Sequence, residues 1–415
     1  MNYQEAVDYI HSLLAFGIKP GLERIRALLA ALGNPQNGLR FVHVAGTNGK
    51  GSTSTMLSQI LKAAGYKTGL FTSPYVFSFC ERIQINNENI SEDGLASVVA
   101  RVKAAMETLN AEGVVPTEFE AITAAALLYF KEQRCDYAVM EVGLGGRYDS
   151  TNIIPTPEVC VITSVSLDHT KILGDTIAQI ASEKAGILKS GSACVTTDRQ
   201  DPTALSVIRE TAKKQGCTIT VADVDAAQVL SESLTETVFS YQGETFTLHL
   251  SGRHQIENAV GVIEAAKQIA GVTDVHIRAG LQNTVMRGRM EYRAGTPPML
   301  LDGGHNPECA EALREVLKRF APQDITAVIG MMADKDAAKY LKTVLPLCKA
   351  VHFTKPSNPR AAEPAILQDL VDFVNVKAFT ENDPKSALKQ AIDATPQDGL
   401  VLVCGSFYLL SDLFS

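Results

Sequence analysis

Short apolar runs recur along this chain, each followed by a stretch with helical spacing, which is the pattern of strands buried on both faces between crossover helices. Phe41 to Val44 is one such strand. Gly46, Gly49 and Gly51 crowd the turn behind it, and Ser52 to Gly65 has helical periodicity. Residues 1 to 33 read as two short helices separated by Phe16 to Gly21 and closed by Gly33 and Pro35. After the central helix come a strand at Thr68 to Thr72, a turn at Ser73-Pro74, and a strand near Arg82 to Ile85. A helix opens at Ser91 with Glu92 and Asp93 in its first turn, and another covers about Thr117 to Gln133.

The stretch DYAVMEVGLGG predicts a strand running into a glycine turn with Glu141 at its end, and EVCVITSVSLDHT predicts a strand ending in Asp168-His169. A helix from about Thr176 carries Glu183 and Lys184. Ala193 to Leu250 is mixed, with a strand, a helix at Pro202 to Lys214 and a hairpin around Tyr241-Gln242-Gly243. GRHQIENAV, 252 to 260, opens a helix. Thr284 to Pro298, rich in Arg, Gly and Pro, reads as a linker, and beyond it the alternation restarts: MLLD, a helix over Glu308 to Phe320, ITAVIGMM, AVHFTK, VNVKAF and LVLVCGS as strands, with helices between them.

Strand, glycine turn, helix is the shape of a phosphate cradle. The N–H groups of a helix start carry partial positive charge, glycines admit a phosphate to the main chain, and Lys50 adds a full charge. The usual spacing is broken, since Val44 stands where the first glycine belongs and Gly51 follows Lys50 directly, which moves the metal-binding hydroxyl to Ser52. A glycine turn that merely joins strand to helix is the alternative. The expected fold class is therefore α/β: a large N-terminal P-loop-type domain with a mainly parallel sheet over 1–284, a linker over 285–298, and a smaller Rossmann-like α/β domain over 299–415.

Ser73 is placed at the carboxyl end of a strand next to the cradle strand, the edge where open α/β sheets bind ligands. Glu141 ends an apolar run, where an NTPase holds Mg²⁺ through a carboxylate, or where a carboxylate is simply solvated. His169 is even-handed between ligand and structural residue, because Mg²⁺ prefers oxygen. Lys184 reads by default as a surface lysine, and His254 and Asn258, four apart on one helix face, as capping or as contacts. An Arg in the linker can reach a nucleotide in the interdomain cleft. The loop GIKPGLERI reads at least as a connector.

At 415 residues the chain exceeds one ordinary core, so two domains are expected. Its 46% hydrophobic and 20% charged residues are those of a globular protein, and the net charge of −8 argues against nucleic acid as the main partner. The 8 cysteines are scattered without a CxxC pair, as in reduced thiols. The acidic start MNYQEAVDYIHSLL lacks the basic opening of a signal peptide, and the longest apolar run, Ala121 to Phe130, is about half of the roughly 20 residues a membrane span needs. A cytoplasmic location without membrane partners is expected.

GTNGKGS, FTSP, ERI, TEFE, MEVGLGGRYDSTN, SLDHT, EKAGILK, HQIENA, GRME, DGGHNP, DKD and GSFYL, in this order, resemble the Mur ligase superfamily and, within it, the folylpolyglutamate synthase and dihydrofolate synthase family. The resemblance implies a central-type domain for ATP and folate followed by a glutamate-ligase domain. It implies Gly49, Lys50, Gly51 and Ser52 for the ATP phosphates, and Ser52, Ser73, Glu141 and His169 for two Mg²⁺ ions. It further implies a carbamylated Lys184 and nucleotide contacts from Asn258, Arg289 and Asp302. Pteridine and p-aminobenzoyl contacts fall to Lys19, Pro20, Gly21 and Leu22, to Arg82, to Phe119, Glu120, Ala121 and Ile122, and to Tyr148, Asp149 and Ser150. Tyr75, Met286-Arg287 and Lys19 depart from the family's usual residues.

The implied reaction is ATP-driven amide formation by a monomer: the γ-phosphate moves to a carboxylate, and the amine of L-glutamate attacks the acyl phosphate. Dihydropteroate and reduced folates are the implied acceptors, with a folylpolyglutamate synthase lacking dihydrofolate synthase activity as the alternative. His305 is a candidate for the ammonium proton or an anchor of the DGGHNP turn. A cell-wall precursor ligase fits less well with TEFE and GGRYDSTN, and a nucleotide switch lacks an NKxD sequence.

Overall fold

Five of the six residues of Arg40–Ala45 (β1) are buried, which requires cover on both faces and puts this strand inside a sheet. The computed structural model describes residues 1–17, 19–371 and 376–415. Thr68–Phe71 (β2), Ile83–Ile85 (β3), Glu88–Asn89 (β4), Tyr137–Glu141 (β5), Val159–Ile162 (β6), Ala193–Thr197 (β7) and Thr218–Ala222 (β8) join β1 in an eight-stranded sheet of order β4-β3-β2-β5-β1-β6-β7-β8. All neighbours from β2 to β8 run parallel, while β3 and β4 turn back at one edge. Val44 pairs with Glu141 and Ala45 with Ile162, so the loops after β5, β1 and β6 open side by side at the carboxyl edge. Connections diverge there, which is where a doubly wound sheet leaves a crevice.

Helices Tyr3–Ser12, Glu23–Ala31, Glu92–Ala111 and Glu118–Glu132 pack one face of this sheet. Helices Lys50–Ala63, Arg253–Ala266 and Asp274–Gln282 pack the other, together with a small antiparallel sheet of Gln228–Glu232 (β9), Thr237–Tyr241 (β10) and Glu244–Leu248 (β11). Its predicted hairpin turns at Gln242 and Gly243, whose φ values of 51 and 85 suit a two-residue turn matched to strand twist.

The second sheet has Glu291–Arg293 (β12), Met299–Asp302 (β13), Ile325–Ile329 (β14), Ala350–Phe353 (β15), Lys377–Thr380 (β16) and Leu400–Cys404 (β17) in order β12-β13-β17-β14-β15-β16. Every pair is parallel except β12 with β13. Helices Pro307–Phe320 and Ala337–Val344 cover one face, Pro384–Ala394 and Phe407–Phe414 the other. The expected α/β class, with a large mainly parallel sheet and a second one behind it, is what folds.

Four local expectations change. The strand that leads to Ser73, β2, does not lie next to the cradle strand β1, because β5 is inserted between them. The strand predicted from Glu158 to Thr170 stops at Ile162, because the Thr163 hydroxyl turns back to donate to the Asn48 carbonyl at 2.7 Å, so Asp168 and His169 stand on a loop. Glu291–Arg293, inside the predicted linker, is laced onto the second sheet. Of the strand read from VNVKAF, Val374 and Asn375 lie outside the described residues, and β16 begins at Lys377.

Candidate active site

The phosphate cradle is built from backbone. Gly49 takes φ 84, and helix Lys50–Ala63 starts behind it with no side chain capping its first turn. Its leading N–H groups are thus left for a ligand. A methyl on Gly49 would collide with Asn258 Oδ1, and one on Gly46, at φ 155, with Thr163 Oγ1, so both positions require glycine. Lys50 Nζ folds back to donate to the carbonyls of Gly46 at 3.1 Å and Thr47 at 3.0 Å. Burial pulls its ammonium below the ordinary lysine value, opposed chiefly by the Glu141 carboxylate. A half-buried cation held only by carbonyls is suited to an incoming anion.

Glu141, 2% exposed at the end of β5, accepts from the Ser73 backbone N–H at 3.0 Å. Burial pushes its carboxyl up, while Lys50, that N–H and Arg289 hold it down. A Cβ on Gly51 would lie 3.6 Å from Glu141 Oε1 and 3.5 Å from Arg289 Nη2, so carboxylate, guanidinium and helix start meet at one point. Ser52 is buried in the same first turn. Among the described residues no three His, Cys, Asp or Glu side chains converge as a self-sufficient metal cage. One carboxylate with flanking hydroxyls is the donor set of an ion that completes its shell from phosphate and water, as Mg²⁺ does.

His169 is exposed on its loop, at φ 50, with its backbone N–H donating to Asp168 Oδ1 at 2.8 Å and Nε2 3.8 Å from Asp168 Oδ2. Burial draws its ring below the usual histidine range against the pull of Asp168, with Lys335, then Lys50 and Lys184, adding to the shift. Lys184 is no surface lysine. It is 4% exposed on helix Ile177–Ala185 and donates to the Gly46 carbonyl at 2.7 Å. Burial, then the neighbouring Lys50 charge, bring its amine down to about 7.

The second domain closes the site. Arg289 lies over the Phe407 ring at 4.8 Å and beside buried Asp302, whose carboxyl burial pushes up to about 6 against the pull of that guanidinium. Asp302 Oδ1 accepts from the Met290 N–H at 3.2 Å. Asn258, Arg289 and Asp302 line one cleft, together with Gly49, Ser52 and Glu308. His305 Nδ1 is 3.1 Å from the Gly303 carbonyl, and burial with Lys335 lowers its ring to about 4, so it anchors its own turn more readily than it holds a proton.

The residues expected to meet a pterin divide. Glu120 caps its helix through the Thr117 N–H at 2.7 Å and pairs with Arg24 at 3.1 Å, while Ala121 and Ile122 are sealed in the core. Asp149 accepts from the Gly143, Leu144 and Thr151 N–H groups and so shapes the glycine turn. Ser150 is buried in the short 3₁₀ turn Ser150–Ile153. Phe119 packs 5.7 Å from Phe71 and fills the space over Gly143; Tyr148 is exposed. Arg82 faces Glu118 at 3.6 Å with its guanidinium 5.5 Å from the Tyr75 ring. Lys19, Pro20, Gly21 and Leu22 lead into helix Glu23–Ala31, with the Lys19 carbonyl held by Arg24. Sequence reasoning overlooked Asn48, which donates to Glu308 at 2.6 Å across the domains; its place in the cradle was visible, its partner was not.

The Mur ligase middle domain family matches residues 44–266, and the family described as Mur ligase, glutamate ligase domain matches 288–407. The dihydrofolate synthase/folylpolyglutamate synthase of Bacillus subtilis is 40% identical over 99% of this chain and 98% of its own. Folylpolyglutamate synthase of Mycobacterium tuberculosis, solved with ADP and AMPPCP, superposes with a TM-score of 0.90 at 28% identity, over 99% of this chain and 98% of that one. The E. coli FolC structure in complex with DHPP and ADP gives 0.86 at 30% identity, over 99% and 96%.

Proposed function

The chain belongs to the folylpolyglutamate synthase and dihydrofolate synthase family of Mur ligases, and we propose that it joins L-glutamate both to dihydropteroate and to glutamylated reduced folates, using ATP and releasing ADP and phosphate. One observation carries this reading. The uncapped helix start at Lys50, the buried Glu141 and the second-domain Arg289 converge on the same point, which is what moving a phosphoryl group onto a carboxylate requires.

A carboxylate resists attack by an amine because its charge is delocalised and its leaving group would be oxide. Phosphorylation supplies a better leaving group. In this reading the first-turn N–H groups and Lys50 hold the phosphates, Arg289 offsets charge that grows during transfer, and Asn258 and Asp302 orient the nucleoside. Ser52, Ser73, Glu141 and His169 would hold Mg²⁺, which neutralises phosphate charge when bound. Because cleft residues come from both domains, closure keeps water from the acyl phosphate. Lys184, whose amine is brought down to about 7 by burial and by the Lys50 charge, is suited to carry a carbamate whose negative charge Lys50 would stabilise.

Phe119, Arg82, Tyr148 and the loop from Lys19 to Leu22 are assigned to the pterin side. We place the enzyme in the cytoplasm as a monomer; the eight free thiols suit a reducing compartment, and among the described residues no helix is long and apolar enough to cross a membrane. Phosphate release from ATP, measured with glutamate plus dihydropteroate and separately with glutamate plus tetrahydrofolate, tests the proposal. Release with both is expected. Release with tetrahydrofolate alone identifies a folylpolyglutamate synthase only, and release indifferent to either rejects a ligase.

A further inference from the structure

Glu308 belongs to the first turn of helix Pro307–Phe320 in the second domain, yet its carboxylate is engaged by the first. Oε2 accepts from Asn48 Nδ2 at 2.6 Å and from Ser166 Oγ at 2.8 Å. Asn48 lies in the phosphate cradle just ahead of Lys50, and Ser166 in the loop that carries Asp168 and His169. These two loops are also stitched directly, the Ser166 N–H donating to Thr47 Oγ1 at 3.1 Å and Thr47 Oγ1 donating to the Ser166 carbonyl at 3.2 Å. The other end of the Asn48 amide is held from the second domain too, by Asn306 Nδ2 at 3.0 Å.

Helix stability does not call for this reach. Asn306 already caps the helix by accepting from the Cys309 N–H at 2.9 Å, and an acidic residue in a first turn benefits from the helix dipole wherever its side chain points. Glu308 is exposed, so water was available to it instead. What the contact does achieve is geometric: a single carboxylate oxygen joins three segments that border the cleft, two from the first domain and one from the second.

We propose that Glu308 is a positioning residue, the clasp through which the second domain sets the cradle and the His169 loop. The inference rests on the ligase reading above. With Glu308 docked, both loops are fixed while Arg289 and Asp302 are also in place. Without it they relax, transfer slows, and an acyl phosphate formed in the loosely closed cleft is attacked by water, which returns the carboxylate and releases phosphate. ATP is then spent without an amide being formed.

The full-length protein and its E308A, E308Q and S166A variants test this by amide hydrogen exchange, with no ligand added, over 46–52 and 163–170. In E308A both segments should exchange about tenfold faster, the size expected for loss of a charge-assisted hydrogen bond. Exchange over β15 should not change. E308Q, whose neutral amide oxygen can still accept from both donors, should fall between E308A and the parent. S166A, which leaves the second domain untouched, should raise exchange over 163–170 even if E308A proves hard to fold. With substrates present, the glutamate joined per phosphate released should fall several-fold in E308A, through kcat more than through KM for ATP. Parental exchange in E308A, or a rise spread evenly over the whole chain, overturns the proposal. A parent without substrate-dependent phosphate release defeats the ligase reading instead, and the exchange measurement still decides the clasp.

Discussion

Lys184 Nζ donates to the Gly46 carbonyl oxygen at 2.7 Å, so a helix that follows β6 in the chain reaches into the backbone of the phosphate cradle. With its amine brought down to about 7, a large fraction is uncharged at pH 8 and can add to carbon dioxide, forming a carbamate and releasing a proton. Lys184→Ala should lower kcat on the order of 100-fold, the scale seen when an oriented charge is removed from a reacting centre. Its far-UV circular dichroism should match the parent. Activity of the parent should fall in carbon-dioxide-free buffer and return with bicarbonate. Near-normal turnover in the variant would count against the carbamate.

Gly49 is caught between a left-handed backbone and the Asn258 amide. Gly49→Ala meets a left-handed cost of about 1–2 kcal/mol and a collision as well, so ATP binding should weaken at least about tenfold. Asn258→Ala in the same chain relieves the collision but also takes away a nucleotide contact, so nucleotide titration calorimetry should show the pair losing less than the sum of the two single changes.

Glu141 is a carboxylate placed to meet a metal beside the cradle. Glu141→Gln keeps its shape and its bond from Ser73 but loses the charge, and the Mg²⁺ needed for half-maximal activity should rise about tenfold or more. An unchanged Mg²⁺ titration would remove Glu141 from the ligand set.

His43, buried on β1, shares a 2.8 Å hydrogen bond with Thr151 Oγ1, which donates in turn to Asp149 at 2.5 Å. Burial lowers its ring from 6.5 to about 3. Between those values the unfolded chain binds a proton that the folded one refuses, so its contribution to stability is full above pH 6.5 and is lost as pH falls toward 3. Asp302, pushed up from 3.8 to about 6, acts with the opposite sign between its two values. The test is therefore the difference between parent and His43→Gln in urea unfolding at successive pH values. The parent's extra stability should shrink from pH 6.5 downward; a constant difference would contradict the assignment.

What was legible in the sequence was local. The cradle could be read because its glycines, Lys50 and the following helix lie in one run, and Glu141 because it ends an apolar strand. The strand alternation of the second domain was equally plain. Contacts between distant segments were not, and the Asn48–Glu308 bond spans 260 positions, with each partner unremarkable on its own. Thr163 misled because a β-branched residue after an apolar run looks like more strand, whereas its hydroxyl ends the strand by bonding to Asn48. Glu120, Ala121 and Ile122 were grouped with the pterin by motif, yet the first is occupied at a helix start and the other two face the core.

Since Glu291–Arg293 is fastened along Met299–Asp302, the chain that crosses between the domains has little slack, and any swing of one lobe on the other would turn close to Arg289, just ahead of that fastened strand. A group near an axle sweeps a short arc however far the lobes swing. On the proposed closure its guanidinium would keep company with the triphosphate throughout, while Glu308, whose partners Asn48 and Ser166 sit on the other domain, would have to release both before the lobes could part.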